Sequence, residues 1–529
     1  MAVPQCKYHL IFALIMLAMI CFLFHSHAVS YYPALDEGVS LNAAIRIIDG
    51  EAPYRDFFHI TTPLSAFSIA GAFAAFKPTL FTARMLYLAF GLSLCIVLYM
   101  VSLKLIDNPS LSLLPPLGYF LFDICLNFYW TPYIPCIFFF LLTTMMFQGI
   151  KSWKEPFLAG IFASLCFLTN QNIGAWGFIG SVVILATIRR MKATPLTSMR
   201  WYLLGFSIPT IVFLSYLLIH HALTDFLYEC LLWPLTKYYG FNKYPYLYKE
   251  ASSALSALYL LIRGKNIIIG LGLILSFVFY GLLPFVLYPL CLLSAFMKNR
   301  WNLWVTSVGG VSLFLSSFNH PDFLHLLHVM SYLLIIFFFM VGEICQRFLK
   351  DRGMGSLIAV IGAFVLVLFP LLECAWFILS ALSLPVYKIE TIRGDVSLTS
   401  PRLLMERERL LRYISRHVSK DRSVFVYHWS PEIYFLSGMR NPTPFDSYKP
   451  IYNSREQMMK IIRSLDETKP SIVIKDNYID RFFDPGDIIS LSFPLVDRDL
   501  LLKEDIVQQF ITRSYRLEVK IHNYTIYTR

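Results

Sequence analysis

Two adjacent carboxylates, Asp36 and Glu37, stand in the run Y-Y-P-A-L-D-E-G, just past the first apolar segment of the chain. A carboxylate held within hydrogen-bond reach of a hydroxyl can take its proton, which makes Asp36 a candidate general base. An Asp here can equally cap the helix that the pattern starts near Gly38. Glu37 has three readings: contact with an acceptor molecule, a metal ligand, or a side chain facing water. Arg55, Asp56 and His59 follow in P-Y-R-D-F-F-H, and the turn N-H-P-D-F-L-H runs from Asn319 to His325. Arg55 offers a planar fork that matches phosphate oxygens. His325 can stabilise charge on a departing phosphate, and Asp322 can orient it or cap the helix that follows. His328 lies one helical turn beyond His325. Such a spacing alone is a weak metal signal, and a pair satisfied by its surroundings is the plainer reading. Asp123 is a second candidate acid or a group reaching toward the interface. Asn170, Gln171 and Asn172 can bind a sugar or solvate a turn.

These residues must be positioned by a membrane protein. The 529 residues are 57% hydrophobic and only 15% charged, with mean hydropathy +0.59. Soluble proteins carry about 25% charged residues. Eleven apolar spans are predicted, near 10–28, 80–103, 111–128, 132–149, 155–169, 172–188, 201–220, 266–294, 302–318, 325–346 and 355–381. A bilayer needs roughly 20 apolar residues per helix, with a lower limit of about 17. Residues 1–385 read as the membrane domain, with a first outer loop at 30–79 and a Tyr-rich outer loop at 221–265. From residue 386 the composition becomes mixed and charged, and 386–529 reads as a small α/β domain outside the membrane. Within the first loop, Leu41, Ala44, Ile45 and Ile48 share one helix face, with Asn42, Arg46 and Asp49 opposite and Gly50 as a stop. That pattern predicts an interfacial helix lying on the membrane. Pro63 to Phe76 is too short to span and reads as a second interfacial or re-entrant piece.

Lys and Arg cluster in alternate turns, at Lys104, Lys151, Lys154, Arg189 and Arg190, then at Lys298, Arg300 and Arg347. The positive-inside rule therefore places the N-terminus in the cytoplasm and the Asp36 loop outside, and an odd span count places the C-terminal domain outside as well. The net charge of +11 largely reflects the inner turns and gives no reason to infer nucleic-acid binding. Ser26-His27-Ala28 also fits a signal-cleavage site, an alternative reading of the first segment that leaves residues from 30 onward outside. No Cys lies beyond residue 390, and no Cys/His spacing resembles a zinc site.

The run from Asp36 to Leu64, D-E-G…L-N-A-A-x-R-I-x-D-G-E-x-P-Y-R-D-F-F-x-x-x-x-P-L, resembles the first outer loop of GT-C glycosyltransferases, the group that includes protein O-mannosyltransferases and the lipid A aminoarabinose transferase. The Asn319–His325 turn resembles an Arg/Asn-Pro-Asp-x-x-His segment of bacterial members, and Pro431 to Gly438, P-E-I-Y-F-L-S-G, resembles their outer domain. The resemblance implies a polyprenyl-phosphate sugar donor, a glycolipid, glycan or protein acceptor, and inverting transfer on the outer face of a bacterial inner membrane. It maps the family's first-loop acid onto Asp36 and a basic phosphate contact onto Arg55. The predicted topology, independently, puts Glu37, Asp56, His59, Asp123, Asp322 and His325 at outer ends or outer loops with them. Many relatives carry Arg where this chain has Asn319, which weakens that turn as a phosphate grip. No cofactor is required by these residues, and they leave a divalent metal open. Competing architectures are a lipid-linked-glycan ligase or polymerase and a transporter. The transporter reading calls for inverted repeats and broken midplane helices, which the sequence does not show. A noncatalytic scaffold leaves the external acids and histidines without a purpose.

Overall fold

The computed structural model describes residues 5–33, 35–121, 132–192, 197–238, 277–319, 323–351, 383–419, 423–448, 453–477 and 505–529, with isolated positions at 271, 274, 275, 361, 362, 365 and 379. Asp123, Asp322, most of the Tyr-rich loop and nearly all of the last proposed span lie outside these residues. Five described helices are long and apolar enough to cross a membrane: Cys6–His25, Leu80–Leu103, Gln171–Ile188, Ser198–Ile219 and Phe277–Met297. Shorter apolar helices, Tyr133–Gln148, Lys154–Thr169 and Trp301–Ser316, pack among them. The sequence pattern predicts one helix over 325–346. The chain instead breaks it into Phe323–Val329 and Ser331–Asp351.

Lipid offers no hydrophobic drive between helices, so small residues and close backbones do the packing. The helices Lys154–Thr169 and Thr197–Ile219 show this: a Cβ at Gly160 would meet the Tyr202 carbonyl oxygen at 2.1 Å, and one at Gly205 would meet that of Phe157 at 2.0 Å. The largest apolar core gathers Leu98, Ile137, Leu141, Leu313, Tyr332 and Ile335. The protein is an integral membrane protein.

The first outer loop holds two short helices, Leu35–Ile48 and Leu64–Ala75. The second is too short to span. The first differs from the amphipathic helix expected on a membrane surface. Its polar Asn42 and Arg46 are buried as well as its Leu41 and Ala44. The reason is a second covering element: the helix packs on Leu64–Ala75 and also on the helix Glu432–Ser437 from the far end of the chain. Arg46 is satisfied there, its guanidinium donating to Glu51 at 2.6 Å and to Asp446 at 2.8 Å.

The C-terminal part holds a two-stranded antiparallel ribbon, β1 (Tyr387–Ile389) and β2 (Val396–Leu398), and a four-stranded sheet of β3 (Val424–Tyr427), β4 (Ile472–Asp476), β5 (Arg516–Ile521) and β6 (Tyr524–Thr528). The sheet order is β3-β4-β6-β5, with β3 parallel to β4 and the other pairs antiparallel. Alternation along β3 sends Val424 and Val426 to one face, against Leu410 and Ile414 of the helix Pro401–His417. Phe425 and Tyr427 go to the other, against Met458, Ile461 and Leu465 of the helix Arg455–Thr468 and against Val507 and Ile511. Both faces are therefore covered, as a parallel pair requires. This part is tied to the first loop by backbone bonds: the Tyr32 N–H donates to the Ser397 carbonyl at 2.8 Å, and the Phe58 N–H to the Pro444 carbonyl at 2.8 Å.

Candidate active site

Each residue of D-E-G has a separate task. The helix begins at Leu35, so Asp36 lies in its first turn rather than at a cap near Gly38. A negative side chain is favourable there, beside unpaired backbone N–H groups. Asp36 is exposed on the wall of a cavity of about 660 Å³. Glu37 turns the other way and is 1% exposed. It is no part of that cavity's lining: it accepts both arms of the Arg84 guanidinium, at 2.9 and 2.7 Å, and Arg84 also donates to the Ala28 carbonyl at 3.0 Å. Arg84 belongs to the spanning helix Leu80–Leu103 and is fully buried, a position where a charge needs a partner. Gly38 completes the arrangement, since a Cβ would meet the Glu432 backbone nitrogen at 2.6 Å. The segment aims one carboxylate into the cavity and uses its neighbours to fix the aim.

Within the P-Y-R-D turn the two charged side chains pair with each other. Asp56 accepts from Arg55 at 2.9 and 2.7 Å and from the Ala52 N–H at 2.7 Å. The bond from Arg55 holds the Asp56 carboxyl below its ordinary range, against partial burial. Tyr54 takes a left-handed φ of 73° and donates its hydroxyl to the Thr61 carbonyl at 2.8 Å. The Arg55 side chain is 41% exposed, and neither Arg55 nor Asp56 is part of the cavity lining.

His59 does line the cavity, and its ring Nε2 stands 3.2 Å from the Thr61 hydroxyl. Burial lowers its pKa to about 4, so it is neutral at pH 7. Its backbone N–H donates to Glu229 at 2.8 Å. Glu229 sits in a π-helical turn, Leu227–Leu232, outside the candidate spans, and burial raises its carboxyl to about 9. Sequence reasoning missed it, although an acid within the apolar run F-L-Y-E-C-L-L-W was a usable signal.

His325 lines the same cavity, with Tyr133 edge-on to it at 5.9 Å. His328 stacks on the Tyr133 ring, with ring centroids 4.3 Å apart, and is buried. Among the described residues no group of three or more His, Cys, Asp or Glu could hold a metal. The amide run lines the cavity while serving the fold. Asn170 Oδ1 accepts from the Asn172 and Ile173 N–H groups at 3.1 and 3.2 Å, starting the next helix. Gln171 pins the first loop by donating to the Ile60 carbonyl at 2.7 Å and accepting from the Thr62 N–H at 3.1 Å. Asn172 donates to the Ser316 carbonyl at 2.7 Å.

The remaining wall comes from the C-terminal part, through Trp429, Asp446, Ser447 and Asn453. None of these was a sequence candidate.

Solved structures share this architecture. ArnT from Cupriavidus metallidurans bound to undecaprenyl phosphate superposes with a TM-score of 0.56 at 10% identity, over 98% of this chain and 98% of that one. The apo state of that enzyme gives 0.56 at 9% identity, over 99% and 98%. The Archaeoglobus fulgidus oligosaccharyltransferase in its apo form gives 0.50 at 9% identity, over 90% of this chain and 72% of that one. The chain has the GT-C fold. No family model and no curated protein matches its sequence. The fold places the first loop and the C-terminal part around one cavity here, and Asp36, His59 and His325, called from sequence, meet in its lining.

Proposed function

We propose that this GT-C protein is a glycosyltransferase that moves a sugar from a polyprenyl-phosphate donor to a hydroxyl acceptor, a glycolipid, glycan or protein, on the extracytoplasmic face of the membrane. The N-terminus is then cytoplasmic and the C-terminal part outside. One observation carries the reading: Asp36 is exposed on the wall of the cavity that His325 also lines, in a fold shared with a structure that binds undecaprenyl phosphate.

The lipid-linked sugar enters sideways from the bilayer. Asp36 takes the proton of the acceptor hydroxyl, and the freed oxygen attacks the anomeric carbon. The bond from that carbon to the phosphate oxygen breaks on the opposite side, with inversion, and the electron pair leaves with polyprenyl phosphate. His325 stands beside the departing phosphate and stabilises its developing charge. His59, neutral at pH 7, contributes hydrogen bonding rather than charge. The Glu37–Arg84 tie holds Asp36 in place, so much of the rate comes from positioning.

The purified protein, supplied with a panel of polyprenyl-phosphate sugars and a cell-envelope extract as acceptor, is expected to release polyprenyl phosphate. Asp36→Asn keeps the shape of the side chain and removes the base. It should cost about 10²–10⁴-fold in turnover, with thermal unfolding unchanged. Turnover by Asp36→Asn at the parent rate would eliminate Asp36 as base. Absence of release from every donor would eliminate the reading.

A further inference from the structure

The wall of the cavity contributed by the C-terminal part is built unlike the rest. Strand β3 ends at Tyr427, and the next residue, His428, is buried with a φ of 79°. A non-glycine residue rarely takes this left-handed conformation, and such strain persists where the surroundings impose it, often at functional sites. Its effect here is to turn the chain sharply at the carboxyl end of β3, so that half-buried Trp429 becomes part of the cavity wall. The next residue, Ser430, is anchored by donating its hydroxyl to Asp476 at the end of β4.

The C-terminal stretch of wall that holds Trp429 is otherwise polar. Ser447 and Asn453 line it, and Asp446 accepts from Arg46 at 2.8 Å, with Asn441 donating to the same Oδ1 at 3.0 Å. Among the described residues the C-terminal part adds no Lys or Arg to this stretch of wall, so the portion of an acceptor held here is a neutral one, while the donor phosphate of the reading above belongs at His325. The wall is fixed relative to the first loop through the Phe58–Pro444 bond and through the Phe58 ring, 5.4 Å from Phe445 and 5.2 Å from Trp233.

An indole face beside hydroxyl and amide groups suits a pyranose. The ring's C–H edge carries slight positive charge that meets the negative face of the indole, while its hydroxyls need neutral donors and acceptors. We infer that Trp429, with Ser447 and Asn453, forms an acceptor subsite for a neutral saccharide. The inference rests on the transferase reading above and narrows its acceptor to a carbohydrate hydroxyl.

The test is binding of the full chain in lipid nanodiscs to an array of neutral oligosaccharides, phosphorylated oligosaccharides and Ser/Thr-rich peptides, without donor. The parent protein is expected to retain neutral oligosaccharides. Trp429→Phe keeps a ring and should stay within about three-fold of the parent, while Trp429→Ala weakens binding by about ten-fold or more, as truncation of a buried aromatic anchor does. Ser447→Gln fills the subsite without touching the Trp429 support and should weaken binding similarly. It decides the matter if Trp429→Ala fails to fold. Neutral-glycan binding that ignores both Trp429→Ala and Ser447→Gln overturns the subsite, as does binding confined to peptides or phosphorylated glycans, or no glycan binding by the parent. Polyprenyl phosphate release is scored separately. A parent that retains neutral glycans and releases no polyprenyl phosphate supports the subsite and sinks the transferase reading. Release with no glycan retained sinks the subsite alone.

Discussion

The Glu37–Arg84 and Arg55–Asp56 pairs join the same two charged groups within the first outer loop and its neighbouring span, at 2.7 Å in each case. Their surroundings differ. Glu37 and Arg84 have side chains 2% and 1% exposed, while Arg55 and Asp56 are 41% and 30% exposed. In the buried pair, each charge depends on the other, because no water can replace a lost partner. In the exposed pair, water can replace either. The first pair also joins residues 47 positions apart in sequence and so fixes a loop helix to a spanning helix. The second joins sequence neighbours and fixes only its own turn. A sequence motif rich in charge thus contains one pair that positions the site and one that shapes a loop.

Breaking the buried pair should have the largest effect on stability. Arg84→Ala leaves Glu37 buried and unpaired, a change that typically costs about 3–5 kcal/mol. Thermal unfolding of the detergent-solubilised protein should show it. The sharper version is the double replacement Glu37→Met with Arg84→Met. Buried pairs exchanged for apolar side chains of similar volume are often neutral, so the double variant should recover most of the lost stability and retain turnover. If it folds like the parent yet is inactive, Glu37 takes part in the chemistry and is not only a tie.

An intermediate case lies at Glu229, buried and forming no ion pair among the described residues. Burial lifts its carboxyl from an ordinary 4.5 to about 9. The folded protein therefore holds the proton that the unfolded chain releases above about 4.5. The stability associated with this group is full at lower pH and falls as pH rises toward 9. Glu229→Gln keeps an acceptor for the His59 N–H and cannot ionise. Its melting temperature should gain on the parent's steadily from pH 5 to pH 8. Parallel curves would show that Glu229 is not held protonated.

How much of this was legible in the sequence follows the same division. Asp36 was readable because its position, just past the end of an apolar segment, is local information. The change to mixed, charged composition from residue 386 was readable for the same reason. The partner of Glu37 was not read, although an Arg at position 84 inside a predicted span was a visible anomaly. Burial of Arg46 was hidden for a deeper reason: Asp446 lies 400 residues away, and a helical pattern cannot say that a second element will cover its polar face. Trp429 was hidden likewise, since its place in the cavity depends on one unusual backbone angle after β3.

The smallest effect is expected at Arg55, where the comparison can be broken outright. The resemblance of the P-Y-R-D turn maps a phosphate contact onto this residue. A charge-assisted bond to a donor phosphate is worth roughly 1.5–3 kcal/mol, so its loss in Arg55→Ala would raise the donor KM by about 10- to 150-fold, with Arg55→Lys milder because it keeps the charge and loses the fork. The geometry points elsewhere. Arg55 is committed to Asp56 through two bonds and is no part of the cavity lining. Asp56 keeps its turn without it, through the Ala52 N–H at 2.7 Å. Arg55→Ala should therefore leave the melting temperature nearly unmoved, as removal of an exposed ion pair does, and change the donor KM less than about two-fold. Donor KM for Arg55→Ala and Arg55→Lys, measured at saturating acceptor, separates the two accounts. A large, graded rise, greater for Ala than for Lys, would mean that Arg55 leaves Asp56 for the lipid phosphate when donor binds, and the two ion pairs would then differ in function as well as in burial.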